Sequence, residues 1–345
     1  MMGYMKKYRC PHCSKTSSVI RHAKRGTSIR YYCKSCLRYF SVKTIHIDTK
    51  AILKDHLDGI SFRRLAEKYA ISKSHASDIC YEELKKLPPN NEFTFKYCSK
   101  FSNILVVDGK YFTVKGYDRG YCLLWGIDYF RHDIPVFTLA PSESYQSWSR
   151  YFSYYRILNK YPQLLVCDDN TNIKLAALNK FPELSIQTCH NHFKESIRRS
   201  LRVRSDDTYK PFMKRIEQAL GVKRNAEDLT SKLFALYRDY NHDPVCLSTI
   251  TNIQRYMPEL TAYRGISQAP LTTNIMESFN SHLEARLFSL KYFNSPEHAR
   301  LWLNGYILKR RFTKFDSCSN KFKWLNGKSG VQMTKKPDVV VPTFF

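Results

Sequence analysis

Three acidic residues stand in sequence settings suited to holding a pair of metal ions: Asp108, Asp168 and Glu277. Asp108 ends the apolar run Ile104-Leu105-Val106-Val107, and Asp168 ends Leu164-Leu165-Val166-Cys167. Glu277 lies in Thr272-Thr273-Asn274-Ile275-Met276-Glu277-Ser278-Phe279-Asn280, which reads as the opening of a helix. A carboxylate at the end of a buried strand is held rigidly at the rim of a sheet. Three such groups can bind two Mg²⁺ (or Mn²⁺) and drive in-line attack on a phosphodiester. Asp169 competes with Asp168, since a one-residue bulge would exchange them, but Asp168 continues the apolar run directly. Glu284 and Glu143 are weaker candidates for the third acid. Glu284 falls two turns further along the same helix, and Glu143 follows a strand edge and reads as a cap. Each acid alone has a plain structural use, as a turn cap or a solvated side chain. Their order and element types together favour the metal reading.

Other residues suit a different ion. Cys10, Cys13, Cys33 and Cys36 form two CxxC pairs about 20 residues apart, the pattern of a zinc ribbon with one structural Zn²⁺ in a closed shell. His12 lies inside a knuckle that four thiolates already complete. Lys6, Lys7, Arg9, Arg21, Lys24, Arg25, Arg30, Lys34 and Arg38 give this segment a basic coat. Tyr8, Tyr31, Tyr32, Tyr39 and Phe40 are interleaved with them, as DNA-facing groups or as a small core. Cys189 and His192 could be half of a further zinc site. They could equally be scaffolding, with the thiol beneath a sheet and the imidazole steering a phosphate or a metal-bound water; chemistry alone leaves the choice open. Lys194, Arg198, Arg199, Arg202 and Arg204 follow, and would grip phosphates if helical, a solvated helix face being the plainer alternative.

The elements that must position these groups can be read from periodicity. Residues 1–45 form the ribbon. In residues 46–90, a helix containing Ile52, Leu53 and Leu57 stops near Gly59, and Ser61 caps a second through Tyr69. The turn Ala70-Ile71-Ser72 leads into a third from Lys73 to Leu87, a helix-turn-helix pattern that a plain three-helix bundle would share. Lys73, Ser74, His75, Ser77 and Asp78 then open the recognition helix. Pro88-Pro89-Asn90-Asn91 reads as a linker. From residue 100 to 197, apolar β-rich runs at 104–107, 111–115, 121–130, 134–140, 163–167 and 184–189 first follow one another closely. They then alternate with helices at Tyr145–Leu158 and Thr171–Phe181. That order predicts an α/β fold with a mixed sheet, antiparallel first and parallel afterwards, as in a ribonuclease-H-like core. Residues 198–268 keep only helical spacing and read as an all-helical insertion. Residues 269–315 complete the core with the Glu277 helix and a second helix from Pro296 to Arg311, and 316–345 read as a basic, peripheral tail.

Composition agrees with a polyanionic partner. Lys and Arg number 56 against 30 Asp and Glu, a formal charge of +26 spread along the chain. No apolar run is long enough to span a bilayer, and the basic N-terminus lacks the apolar stretch of a secretory signal. The seven cysteines outside the ribbon are scattered among eleven in all, which fits a reducing compartment rather than a disulfide scaffold.

Asp108-Gly109, Cys167-Asp168, Cys189-x-x-His192 and Thr273-Asn274-x-x-Glu277-Ser278-x-Asn280 resemble the signatures of the Mutator-like transposases and their bacterial insertion-sequence relatives. The resemblance runs over roughly residues 100–312 and is most specific at the Asn-x-x-Glu-Ser block and Cys-x-x-His. It implies a DDE transposase with a helical insertion before its last acid. Such an enzyme acts as a homodimer or higher oligomer on the terminal inverted repeats of its own element and joins 3′-hydroxyl ends to target DNA. It also implies supporting roles for Cys189, His192 and Asn274. Two features depart from the family pattern: His190 and Asn191 replace the aromatic residue often found between that Cys and His, and the zinc ribbon is not universal. Neither removes an acid; both bear on recognition of the element ends. The expected setting is cytoplasmic and nucleoid-associated in a prokaryotic host. The alternatives are a captured regulator that binds DNA without cutting it, and a ribonuclease-H-like nuclease without strand transfer.

Overall fold

The computed structural model describes residues 8–25, 28–43, 47–158, 161–224 and 226–345. Lys6, Lys7 and the side chain of Arg25, assigned to the basic coat above, lie outside them. The chain divides into two compact units, residues 1–51 and 52–345. The division falls within helix α1 (Thr49–Leu57), not at 45 or 90.

The first unit is an antiparallel sheet, β1 (Val19–Arg25), β2 (Ser28–Cys33) and β3 (Arg38–Lys43), in that order. Tyr31 on β2 stacks on Phe40 of β3 at 5.6 Å and meets Tyr8 at 4.7 Å, so these aromatics form the core of a unit with little else to bury. Cys10 and Cys13 precede β1, Cys33 ends β2, and Cys36 lies in the turn to β3.

In the second unit α2 (Phe62–Lys68) and α3 (Lys73–Lys85) start at Ser61 and Ser72, whose hydroxyls accept the Arg64 and His75 backbone N–H groups. Leu65, Ala76, Ile79, Cys80 and Leu84 are buried. The segment read as a linker is the start of a further helix, α4 (Asn90–Tyr97). α3 stops at Lys85, ahead of Pro88 and Pro89, and Pro89 stands at the N-cap of α4. Asn90 is anchored by Asn304 Oδ1, which accepts its backbone N–H at 2.7 Å.

The sheet of this unit is mixed, in the order β6 (Phe137–Ala140), β5 (Tyr117–Asp128), β4 (Ile104–Val114), β7 (Leu164–Cys167), β8 (Ser185–Thr188). β4 to β6 are antiparallel neighbours, and β7 and β8 run parallel to β4. The runs 104–107 and 111–115 are a single strand, because the β5 ladder continues across Asp108↔Trp125 and Gly109↔Leu124. The run 134–140 shortens to four residues. α5 (Tyr145–Ile157) and α6 (Thr171–Lys180) cover one face of the sheet. There Trp148, Tyr151, Phe152, Ile173 and Ala176 pack on Leu105, Val107, Leu165 and Cys167.

α7 (His190–Ser200) leads from β8 into α8 (Lys210–Leu220), α9 (Ala226–Tyr240), α10 (Pro244–Arg255) and α11 (Met257–Leu260). These share a core of their own around Phe193, Phe212, Ile216, Leu236 and Ile253. α12 (Asn274–Leu290) returns to the sheet, and α13 (Pro296–Phe312) lies against α1 and α3. Gly305 permits that approach: a Cβ there would fall 2.4 Å from Leu84 Cδ2. The tail is not peripheral. A 3₁₀ turn (Asn320–Leu325) and α14 (Gly330–Thr334) bring Leu325, Val331 and Thr334 into the interior. Arg311, fully buried, reaches Asp133 through two hydrogen bonds of 2.7 and 2.8 Å and also donates to Asn90 and Thr94. The Thr334 hydroxyl donates to the same Asp133 carboxylate. A buried guanidinium needs such a full set of partners.

Candidate functional site

Asp108 lies within β4 rather than at its end, at the level where its parallel neighbour β7 stops. Val106 pairs with Val166, so Asp168, two residues on, comes level with Asp108. Strand side chains alternate, so Asp108 faces away from the α5–α6 layer that holds Val107, toward α12. Its Oδ1 accepts the Gly109 N–H at 2.9 Å, and its Oδ2 accepts from Asn280 Nδ2 on α12 at 2.7 Å. Trp125, buried on β5, donates its indole N–H to Asn280 Oδ1 at 3.2 Å. An indole can only donate, so it fixes which end of the amide meets Asp108. Asn280 was part of the sequence motif, but its contact with Asp108 was not legible there.

Asp168 and Asp169 part company. Asp169 is ion-paired with Lys174, which also meets Glu259 at 2.6 Å. Asp168 has one oxygen enclosed and without a hydrogen-bond partner among the described residues. Burial, then the negative charge of Asp168, pushes Asp108 up to about 6, and burial raises Asp168 as well.

Glu277 falls in the first turn of α12, largely exposed, with Oε1 3.9 Å from His192 Nε2. Cys189, His192 and Glu277 each bring a ligand atom within 4.8 Å of the others. Thr273 donates its backbone N–H and its hydroxyl to Cys189 Sγ, both at 3.3 Å. Interaction with Cys189 raises His192 to about 9. Burial would raise the Cys189 thiol, yet His192 and Thr273 together hold it below its ordinary value. The two bonds from Thr273 to Cys189 tie the N-terminus of α7 to that of α12. Asn191 Nδ2 donates to Asn274 Oδ1 at 2.9 Å across the same junction. His190 is buried with its two ring nitrogens 2.8 Å from the Leu220 and Leu260 carbonyls, at the ends of α8 and α11.

Glu284 is drawn off by Lys110 at 2.9 Å. Glu143 is not a cap: Ser144 caps α5, accepting the Ser147 N–H. The Glu143 carboxylate instead lies over Gly109. Burial, then the charges of Asp168 and Asp108, pushes it up to about 7. Asp108 and Asp168 thus come level at the end of β7 with Glu143 over Gly109, oxygen donors of the kind a hard divalent cation takes, whereas Glu277 gathers with Cys189 and His192. The enclosed Asp168 oxygen, without a hydrogen-bond partner among the described residues, fits such an ion.

The four ribbon cysteines also converge, with Sγ separations of 3.6 Å for Cys10–Cys36 and 3.5 Å for Cys13–Cys33. Lys73, Ser74 and His75 are exposed at the start of α3, and Ser77 is partly so. Arg198 is held by Glu195 and Glu217, which removes it from the expected basic face; Arg199 and Arg202 remain exposed. A cleft of ≈ 690 Å³ with an excess of basic groups, which sequence reading missed, runs beside α12; Arg286, Lys309, Arg310 and Lys314 line it together with Asp58 and Asp316, and Asp58 pairs with Lys309. No described helix is long and apolar enough to cross a membrane.

No curated protein sequence matches the chain significantly. Residues 47–306 match a family model described as "Transposase, Mutator family".

Proposed function

Since the chain belongs to the Mutator family of transposases, we propose that it cuts the terminal inverted repeats of its own element and joins the 3′-hydroxyl ends to target DNA. Asp108, Asp168 and Glu277 are then the ligands of two Mg²⁺ or Mn²⁺ ions. The observation that carries this reading is that the register Val106↔Val166 brings Asp168, just past the end of β7, level with Asp108 on the parallel neighbour β4, with α12 joined to Asp108 through Asn280. The strand order β6-β5-β4-β7-β8 supports a ribonuclease-H-like core, and the helices from α8 to α11 supply the insertion before Glu277. The ion pair of Asp169 with Lys174 favours Asp168 as the second acid.

Divalent ions at such a site activate the attacking oxygen and stabilise the leaving 3′-oxygen. The chain's own residues do the rest. Asn280 and Gly109 hold Asp108 in one orientation. Cys189, His192 and Asn274 fix the turn that carries Glu277. The basic cleft beside α12 offers a track for the phosphate backbone. Cys10, Cys13, Cys33 and Cys36 would hold one structural Zn²⁺ in a ribbon. α2 and α3 have the spacing of a helix-turn-helix, with Lys73, Ser74, His75 and Ser77 toward bases and Arg199 and Arg202 toward phosphates. The partners are the element ends, target DNA and further copies of this chain.

The direct test incubates the protein with DNA carrying the inverted repeats that flank its gene, in Mg²⁺, beside Glu277→Gln, Asp168→Asn and Asp169→Asn. The reading expects specific end cleavage that the first two substitutions abolish and the third reduces only in part. Binding without cleavage by the wild-type protein would favour a regulator, and cleavage without joining a nuclease.

A further inference from the structure

We propose that Glu143 is a fourth carboxylate of the cation site, delivered from the side of β4 opposite α12 into space that Gly109 leaves open. The inference rests on the metal reading above and extends it. A Cβ on Gly109 would stand 2.3 Å from Glu143 Cδ and 2.5 Å from each of its oxygens, so the carboxylate occupies the place a side chain would fill. Gly109 directly follows Asp108, and alternation along the strand turns Asp108 toward α12 and position 109 toward α5. The two faces of β4 therefore present carboxylates on adjacent residues, one native to the strand and one borrowed.

Glu143 is held there. Its backbone N–H donates to the Tyr111 hydroxyl at 3.3 Å, and Asn172 Nδ2 donates to its carbonyl at 3.0 Å. Asn170 Nδ2 donates to its Oε2 at 3.4 Å. The Asn170 amide has no freedom to turn, because its Oδ1 accepts the Asn172 N–H at 3.0 Å. Asn170 stands two residues beyond Asp168, so a single turn carries one acid and steadies another. Helix capping does not explain the arrangement, since Ser144 does that work. Ion pairing does not explain it either, for the charged groups acting most strongly on Glu143 are Asp168 and Asp108, both of its own sign. Independently of Glu143, Asp168 keeps a buried oxygen without a partner among the described residues. Like charges brought together, with an enclosed acceptor left open beside them, are what a divalent cation would reconcile.

The test titrates the full-length, zinc-loaded protein with Mn²⁺, reading free Mn²⁺ by electron paramagnetic resonance, and compares Glu143→Gln, Gly109→Ala and Asp108→Asn. Gly109→Ala displaces the Glu143 carboxylate without removing it. Glu143→Gln and Gly109→Ala should each weaken Mn²⁺ binding roughly tenfold or more, while Glu143→Gln melts in EDTA no lower than wild type. Wild-type Mn²⁺ affinity in Glu143→Gln, with binding still lost in Asp108→Asn, overturns the role of Glu143. So does a lower melting temperature in EDTA with unchanged affinity. Unchanged affinity in Asp108→Asn as well would instead overturn the metal reading beneath it.

Discussion

Asn280 donates to Asp108 across the junction of α12 and β4 at 2.7 Å, and the Trp125 indole decides which end of its amide does so. Replacing Asn280 by alanine leaves Asp108 free to rotate. End cleavage should fall about 10- to 100-fold, as for other supports of metal ligands, while stability falls by only about 1 kcal/mol. Asn280→Asp should be worse, because it sets a like charge against Asp108. Cleavage kinetics beside thermal melts of both variants separate these effects, and wild-type cleavage by Asn280→Ala would end the argument for orientation.

Arg311 and Asp133 form a fully buried pair. Arg311→Met strands a buried carboxylate and should cost about 3–5 kcal/mol in urea unfolding. Adding Asp133→Leu should restore part of that loss. A double variant no more stable than Arg311→Met would mean the polar contacts to Asn90 and Thr94 matter more than the ion pair.

Two histidines should make stability depend on pH. Burial pushes His56 down to about 4, and burial with the nearby Arg310 and Lys321 does the same to His132. Both stay neutral in the folded chain, while in the unfolded chain they protonate near 6.5. Below that value the unfolded state binds more protons, so stability present above pH 6.5 drains away as pH falls toward 4. The loss is roughly 2 kcal/mol per histidine between pH 7 and pH 5. Unfolding free energies of His56→Gln over this range should show a flatter slope than wild type; an unchanged slope would remove His56 from the account.

The ribbon thiols lie close enough to share one ion. Cys33→Ser should lower the bound zinc, measured by elemental analysis, from one ion per chain to a substoichiometric level. It should weaken binding to the inverted repeats while leaving the melting of residues 52–345 in place. A full zinc complement in Cys33→Ser would place the ion elsewhere.

Much of this was open to reading in the chain, and the misses share a cause. Asp108 and Asp168 stand out because apolar runs lead into them, and the mixed strand order follows from the change in connection lengths. That β4 continues through Asp108 does not, because continuation depends on the β5 ladder alongside, a pairing no local pattern encodes. Glu143 looked like a cap because the nearest explanation was Ser144's helix. Gly109 was the available signal, a residue without a side chain directly beside an acid. Asn90 read as part of a linker and the basic tail looked loose, since local composition does not reveal that Arg311 donates to Asn90 or that Thr334 donates to Asp133. Charge density likewise could not reveal that Arg198 is spent on Glu195 and Glu217.

The cluster at Arg311 also sets a schedule for synthesis. Asn90, Thr94 and Asp133 leave the ribosome before Arg311, and the Asp133 carboxylate that receives the guanidinium gains its further donor only when Thr334 has emerged. Both acid-bearing strands and the Glu277 helix are translated before then, yet the scaffold beneath them is not closed. A message broken upstream of Thr334 would still encode every acid of the centre but leave that scaffold open, so the supply of competent protein should follow complete translation rather than initiation.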